Sequence, residues 1–194
     1  MIEIRELVKC ALGLQARWQA SKNLFCFIGG LAVQRWSEPR ATRDVDATLY
    51  VGFGKEKAAV KEQLQFLQGR IDNVERFAIE NRVILLQDLS GCPIDLSLGA
   101  MPFEREMIER SSVQSILPSL PGLRICSPSD LVILKTFAGR DRDWLDVRGT
   151  LVRSGQSLDW ELIQRELNVL LELKEEPESL DRLLAMKASI PETS

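Results

Sequence analysis

The stretch Phe27–Val51, FIGGLAVQRWSEPRATRDVDATLYV, carries the most informative pattern of the chain. An apolar, strand-like run at Leu24–Ile28 leads directly into the glycine pair Gly29-Gly30, and a short helical segment follows. Glycines at this position let backbone amides approach a ligand phosphate, and the positive end of the helix then points toward it. Such glycines are also common in ordinary packing, so both interpretations stay open from this feature alone.

The second half of the stretch predicts a strand that carries two carboxylates on one face. Apolar and polar residues alternate from Thr42 to Val51, which is typical of a half-buried strand. Asp44 and Asp46 therefore project to the same side, with Cβ atoms about 6.5–7 Å apart. That spacing allows them to share one hard cation or to bracket two. The alternative is a solvated outer face of an edge strand.

A third carboxylate lies in another strand-like run. Asp95 is the single charged residue of PIDLSL, residues 93–98. A lone charge in such a run is costly unless it is paired, hydrogen-bonded or bound to a metal; a solvated acid near a turn is the alternative. Acids on two strands beside a glycine turn match the requirements of metal-assisted phosphoryl transfer. In that chemistry Mg²⁺ neutralises a triphosphate and lowers the pKa of an attacking hydroxyl.

Composition excludes several other classes of chemistry. The 194 residues include no histidine, which excludes Ser-His-Asp triads, Cys-His nucleophile pairs and imidazole metal sites. The four cysteines form no CxxC motif and are expected to be reduced, mostly buried thiols. The first residues predict an amphipathic helix rather than a signal peptide or a membrane span. We therefore expect a cytoplasmic protein that does not interact with a membrane.

The order of the predicted elements indicates an α/β (α+β) fold with a small mixed sheet and flanking helices. We expect an α/β core over residues 1–126 and a helical segment over 127–194, packed on the active-site side. Ser127-Pro128-Ser129-Asp130 is a strong helix start, with a capping serine and proline in the first turn. The sequence predicts helices at 2–22, 31–36, 55–69, 103–110, 159–174 and 177–187, and strands at 24–28, 42–51, 82–87 and 93–98, with short extended pieces in 113–126.

The glycine pair followed by Asp44-Val45-Asp46 resembles the signature of the DNA polymerase β-like nucleotidyltransferases. The run Arg40-x-Thr42-x-Asp44-x-Asp46 is similar, more narrowly, to the AbiEii/AbiGii-type nucleotidyltransferases, toxins of type IV toxin–antitoxin systems. The resemblance implies transfer of a nucleoside monophosphate from an NTP to an acceptor hydroxyl, with Mg²⁺ or Mn²⁺ as the metal. The acceptor would be an RNA such as tRNA, a protein or a small molecule, and a cognate antitoxin or regulator is a possible partner.

The resemblance also implies roles for individual residues. The third acid of the family falls on Asp95, which would complete the metal site and help to deprotonate the acceptor. Lys135, in the segment SPSDLVILKTFAGRDRDWLDVRGTL, would hold the triphosphate. The implied residues form three groups: catalytic metal ligands (Asp44, Asp46, Asp95), nucleotide contacts (Gly29, Gly30, Thr42, Lys135) and supporting residues (Arg40, Asp143, Asp146).

The chain departs from the family at Gly30, where many relatives have a serine, so a hydroxyl contact to phosphate is absent. The competing interpretation is a non-catalytic regulator on the same scaffold, antitoxin-like, which binds a nucleotide or a partner without turnover. Retention of the three acids and Lys135 favours the enzyme, because buried or half-buried acids are costly when no cation compensates them.

Overall fold

The computed structural model describes residues 3–191, and the chain divides into two compact units. The first unit contains the residues up to Leu31 together with Arg40–Cys126, and the second contains Ala32–Pro39 together with the residues from Ser127 onward. The sequence-based division at residue 126 placed residues 32–39 in the first part of the chain, whereas the structure groups them with the second unit. Side-chain hydrogen bonds explain it, because the Arg153 guanidinium donates to the Ser37 carbonyl (2.7 Å) and the Ser154 hydroxyl donates to the Trp36 carbonyl (2.8 Å).

The first unit is built on a mixed sheet, as predicted. Its strands are β1 (Phe25–Phe27), β2 (Val45–Tyr50), β3 (Gln68–Gly69), β4 (Val83–Gln87), β5 (Pro93–Gly99), β6 (Ser112–Gln114) and β7 (Leu123–Ile125). Their order across the sheet is β3-β4-β5-β2-β1-β7-β6. The β2–β5 and β1–β7 pairs are parallel, and the other neighbours are antiparallel.

Helices connect the strands of the first unit and make up most of the second. They are α1 (Ile4–Ala20), α2 (Gly29–Trp36), α3 (Glu56–Gln63), α4 (Val74–Asn81), α5 (Pro102–Arg110), α6 (Pro128–Ala138), α7 (Asp141–Ser154), α8 (Trp160–Lys174) and α9 (Glu178–Ser189), with a 3₁₀ turn at Gly155–Ser157. The predicted start of α6 is confirmed, because Ser127 Oγ accepts a hydrogen bond from the Asp130 amide (3.1 Å). No helix in the described part of the chain has both the length and the apolar character that crossing a bilayer requires.

The core of the first unit lies under α1. Trp18 of that helix is almost fully buried and stacks against Phe25 and Phe27 of β1, with ring centroids 5.1 and 5.9 Å away. The indole Nε1 donates to Gln63 Oε1 of α3 (2.9 Å), so this buried polar group is satisfied. The apolar positions of β2 are buried as the alternation predicted, and they anchor the strand that carries the acids.

The segment between β2 and β4 differs from the sequence prediction. A single helix was expected over 55–69, but α3 ends at Gln63 and residues 68–69 pair with β4 as an edge strand. The helix α4 was not predicted at all; it begins and ends beside Asn73 and Arg82, both in the left-handed conformation. Pairing with a distant strand overrides local helix propensity here. As a consequence, Arg70 lies at the edge of the sheet, where its amide donates to the Leu85 carbonyl (2.9 Å).

Candidate active site

Three carboxylates from separate parts of the chain meet in the first unit. Asp46 on β2 lies directly opposite Asp95 on the parallel strand β5, and Asp44 immediately precedes β2. One carboxylate oxygen of each residue lies within 4.8 Å of the other two. All three side chains belong to half-buried residues. The strand register therefore brings together the three acids that the sequence singled out.

The glycine pair packs directly against this cluster. The Gly30 amide donates to Asp46 Oδ2 (3.1 Å), and Gly29 has a φ of +53°, a conformation that strains any residue with a side chain. A Cβ atom at Gly29 would lie 2.0 Å from Asp46 Oδ2, and one at Gly30 would lie 2.0 Å from Thr42 Oγ1. Glycine is thus required at both positions by close packing, independently of any phosphate. Because α2 begins at Gly29, its positive end lies beside the Asp46 carboxylate.

The loop before β2 contributes Thr42 and Arg40. Thr42 is buried, and its hydroxyl lies at the outer limit of hydrogen-bond distance from Asp44 Oδ1 (3.4 Å). The same hydroxyl faces the backbone carbonyl of Asp44 (3.5 Å). Thr42 therefore fills the space between Gly30 and Asp44 and helps to position that acid. Arg40 lies on the more exposed side of the loop, where its guanidinium donates to the Ala41 carbonyl (3.2 Å).

Arg70 is a site residue that the sequence did not reveal. Its guanidinium forms a hydrogen-bonded ion pair with Asp95, and both side chains are about two-thirds to three-quarters buried. Arg70 therefore offsets the charge of one of the three carboxylates of the cluster. No local pattern marks this arginine, because it reaches Asp95 only through the pairing of residues 68–69 with β4.

Burial raises the pKa of the Asp95 carboxyl above its ordinary value, and the nearby Asp44 carboxylate acts in the same direction. The Arg70 guanidinium opposes both effects but does not cancel them. Desolvation and like charge therefore dominate, as expected when carboxylates are crowded into a half-buried site. A divalent cation would relieve the repulsion that remains after Arg70 has paired.

The donor set fits a hard divalent cation. Mg²⁺ prefers oxygen ligands, and it is usually held by one or two carboxylates while waters and substrate phosphates complete its coordination. The cluster offers carboxylate oxygens alone, close enough together to share one ion.

Lys135 belongs to a second cluster, in the helical unit. Its Nζ lies 2.7 Å from Asp143 Oδ1 and 2.9 Å from Asp146 Oδ2. The lysine side chain is 14% exposed, and those of the aspartates are 7% and 3% exposed. The structure thus brings together the lysine and the two acids that the sequence grouped with it, as a buried ion triad. The interaction of Lys135 with a triphosphate stays a prediction, since its ammonium group already contacts the carboxylates of Asp143 and Asp146.

We predict that Gly29→Ala lowers the free energy of unfolding by at least about 1–2 kcal/mol, the cost of a left-handed residue with a side chain. Displacement of Asp46 by the new methyl group adds to this cost. Gly13→Ala is the matched control, because a Cβ there meets nothing within 4 Å in the middle of α1. It should raise stability by about 0.5–1 kcal/mol. Urea denaturation measures both changes, and equal effects would contradict the packing argument.

Lys135→Met should destabilise the protein by about 3–5 kcal/mol, because it removes the ammonium group that contacts the buried Asp143 and Asp146 carboxylates. Adding Asp143→Asn and Asp146→Asn to that variant should restore much of the loss. Lys57→Met serves as the control, since Lys57 is exposed and lies 3.7 Å from Glu75 in a surface pair. We expect it to change stability by less than about 1 kcal/mol. A Lys135 variant as stable as the control would show that the triad is not structural.

Comparison with known proteins supports the fold. No protein-family model matches the sequence, and no curated protein sequence matches it. Among solved structures, the chain is similar to the crystal structure of an antigenic nucleotidyltransferase-like protein from Paracoccidioides brasiliensis. The two are 15% identical, with a TM-score of 0.58 over 96% of this chain and 95% of that chain. The solution structure of the antibiotic-resistance factor ANT(2'')-Ia gives 14% identity and a TM-score of 0.49 over 91% and 94%. The likeness to the Paracoccidioides brasiliensis protein shows that the chain has a nucleotidyltransferase-like fold.

Proposed function

We propose that this chain is a Mg²⁺-dependent nucleotidyltransferase that moves a nucleoside monophosphate from an NTP to an acceptor hydroxyl. The observation that carries the proposal is the meeting of Asp44, Asp46 and Asp95 beside the first turn of α2. The nucleotidyltransferase-like fold supports it, and the resemblance of the glycine and aspartate motifs adds to that support. Fold likeness alone would not select a reaction, so the acid cluster is the decisive feature.

In this proposal the three aspartates hold the metal. When bound, Mg²⁺ neutralises triphosphate charge and lowers the pKa of the acceptor hydroxyl. Asp46 is held for this role by the Gly30 amide, and Asp44 lies against the Thr42 hydroxyl. Mn²⁺ shares the preference for carboxylate and water ligands and is expected to substitute.

Asp95 has the second role of accepting the proton of the acceptor hydroxyl. Its register with Asp46 places it within the cluster, and the ion pair with Arg70 fixes its orientation. A general base must lie within hydrogen-bond distance of the proton that it accepts, so a fixed Asp95 carboxylate requires the acceptor hydroxyl to bind next to it. Arg70 is therefore proposed as a positioning residue for Asp95.

The first turn of α2 is proposed to face the nucleotide phosphates. The initial amides of a helix have no intrahelical acceptors, and the helix dipole favours an anion near them. The Gly30 amide already donates to Asp46, so the phosphates would be met by the other amides of that turn. Gly29 and Gly30 thus have two functions, because they admit Asp46 and Thr42 and keep the approach to the backbone open.

The narrower identity that we propose is an AbiEii-type enzyme, on the basis of the Arg40-x-Thr42-x-Asp44-x-Asp46 run. Under this proposal the acceptor is a tRNA, a protein or a small molecule, and a cognate antitoxin would be the regulatory partner. Arg40 is half-buried in the loop before β2, and under this proposal it contacts an acceptor or a phosphate. Lys135, with Asp143 and Asp146, remains the candidate for a further phosphate contact.

The first test measures nucleotide binding. Isothermal titration with each of the four NTPs in Mg²⁺ should show saturable binding to the unmodified chain and none to Asp44→Asn/Asp46→Asn, because that variant lacks two of the three metal ligands. Asp72→Asn/Asp181→Asn is the matched control, since it removes two exposed carboxylates elsewhere and should bind normally. Thermal denaturation confirms that both variants are folded. Equal binding by both variants would reject the metal site.

The second test measures transfer. NTPs labelled at the α-phosphate are incubated with tRNA, total protein or aminated sugars, and label on the acceptor is counted together with released pyrophosphate. Asp95→Asn should reduce transfer about 10²–10⁴-fold, the usual contribution of a positioned base. Asp72→Asn provides the control for loss of a charge. Nucleotide binding without transfer to any acceptor class would instead favour the non-catalytic regulator.

A further inference from the structure

A second cluster of metal-binding atoms lies in the first unit and takes no part in the proposed reaction. It consists of Cys10 on α1 with Asp88 and Cys92, which flank the tight turn between β4 and β5. The two sulfurs and one carboxylate oxygen all lie within 4.8 Å of one another. Cys92 is buried, and Cys10 and Asp88 are half-buried. All four cysteines of the chain are free thiols, so both sulfurs of this cluster are available.

The turn fixes two of the three donors before any ligand arrives. Asp88 Oδ1 accepts hydrogen bonds from the Ser90 amide (2.9 Å), the Ser90 hydroxyl (2.6 Å) and the Cys92 amide (2.9 Å). The Asp88 amide in turn donates to the Cys92 carbonyl (3.1 Å). Gly91 closes the turn with a φ of +81°, which only glycine adopts without strain. Hydrogen bonds of this kind orient ligating side chains in metal sites.

The third donor comes from a separate element. The Cys10 sulfur lies within 4.8 Å of both the Cys92 sulfur and a carboxylate oxygen of Asp88, so the three side chains approach one another between α1 and the turn. Tetrahedral ligands at about 2.3 Å from a metal lie roughly 3.8 Å apart. Separations below 4.8 Å therefore require only small movements to close around an ion.

A cavity adjoins the cluster and gives access to it. Its volume is about 330 Å³, and Cys10 and Asp88 are among the residues that line it. Lys9 pairs with Glu6 (2.8 Å) in the lining of the same cavity, and the Arg17 guanidinium there offsets negative charge that the cluster would acquire. The open side leaves room for a water molecule as a fourth ligand, and Glu6, which also lines the cavity, is within one helical turn of Cys10.

We propose that Cys10, Asp88 and Cys92 form a second metal site, one that takes Zn²⁺ or a similar thiophilic divalent cation. Thiolate ligands select such cations, whereas Mg²⁺ prefers sites made of oxygen atoms alone. On binding, the two thiols release their protons to solvent and bind the ion as thiolates. The bound ion links α1 to the β4–β5 turn, and it stabilises the first unit by binding the folded state.

Cobalt titration tests the proposal, because Co²⁺ bound to thiolates gives a sulfur-to-metal charge-transfer absorption that oxygen ligands do not give. The reduced, chelator-treated chain should show this absorption with one equivalent of Co²⁺, and Zn²⁺ should displace the Co²⁺ and raise the melting temperature. Cys10→Ala and Cys92→Ala should each abolish the absorption, and Asp88→Asn should weaken binding at least about 10-fold. Cys10→Ala is the more secure variant, since alanine is the strongest helix former and position 10 is half-buried.

Two controls separate this site from the rest of the chain. Cys126→Ala removes a buried thiol elsewhere and should leave the absorption unchanged. Asp44→Asn/Asp46→Asn should also retain it, because the acidic cluster contains no sulfur. No charge-transfer absorption in the unmodified chain, or absorption that persists in Cys10→Ala, would overturn the proposal. The proposal would also be overturned if Cys10 and Cys92 formed a disulfide in air and the chain, once reduced again, bound no cobalt.

Discussion

The candidate site depends on the parallel register of β2 and β5. This pairing puts Asp46 directly beside Asp95, and a shift of one residue would send one of the two carboxylates to the opposite face of the sheet. The apolar residues on either side of these acids are fully buried, so the hydrophobic pattern of both strands fixes the register. The core of the first unit therefore determines the geometry of its charged cluster.

Crowding three carboxylates is unfavourable without compensation, and the fold provides several compensating groups. Arg70 pairs with Asp95, the Gly30 amide donates to Asp46, and the Thr42 hydroxyl faces Asp44. The pKa of Asp95 is still raised, so the compensation is incomplete. A half-buried cluster of carboxylate oxygens is suited to a hard cation, and a purely structural cluster of this kind would gain stability if its acids were replaced.

Local patterns predicted the elements that contain the key motifs, and long-range pairing produced the rest. The alternation of β2 and the cap of α6 are local signals, and both appear where the sequence placed them. Arg70 has no such signal, because it reaches the site through a two-residue edge strand that pairs with β4.

The glycine pair was interpreted through phosphate binding, whereas the structure gives a steric reason that depends on Asp46 and Thr42, more than ten residues away. The assignment of residues 32–39 to the helical unit also depends on contacts with distant residues.

The two donor clusters of the first unit show how one strand can support different metal chemistry. Cys92 immediately precedes β5, and Asp95 lies within it, yet one belongs to a sulfur-containing cluster and the other to a set of oxygen donors. The Asp44 carboxylate is near enough to act electrostatically on Cys92, so distance does not isolate the two clusters. The choice of cation at each cluster must then come from the donor atoms. A hard cation binds carboxylates more tightly than thiolates, and a thiophilic cation has the opposite preference. Under the two proposals, separate occupancy by two kinds of cation would therefore follow from side-chain chemistry rather than from spacing.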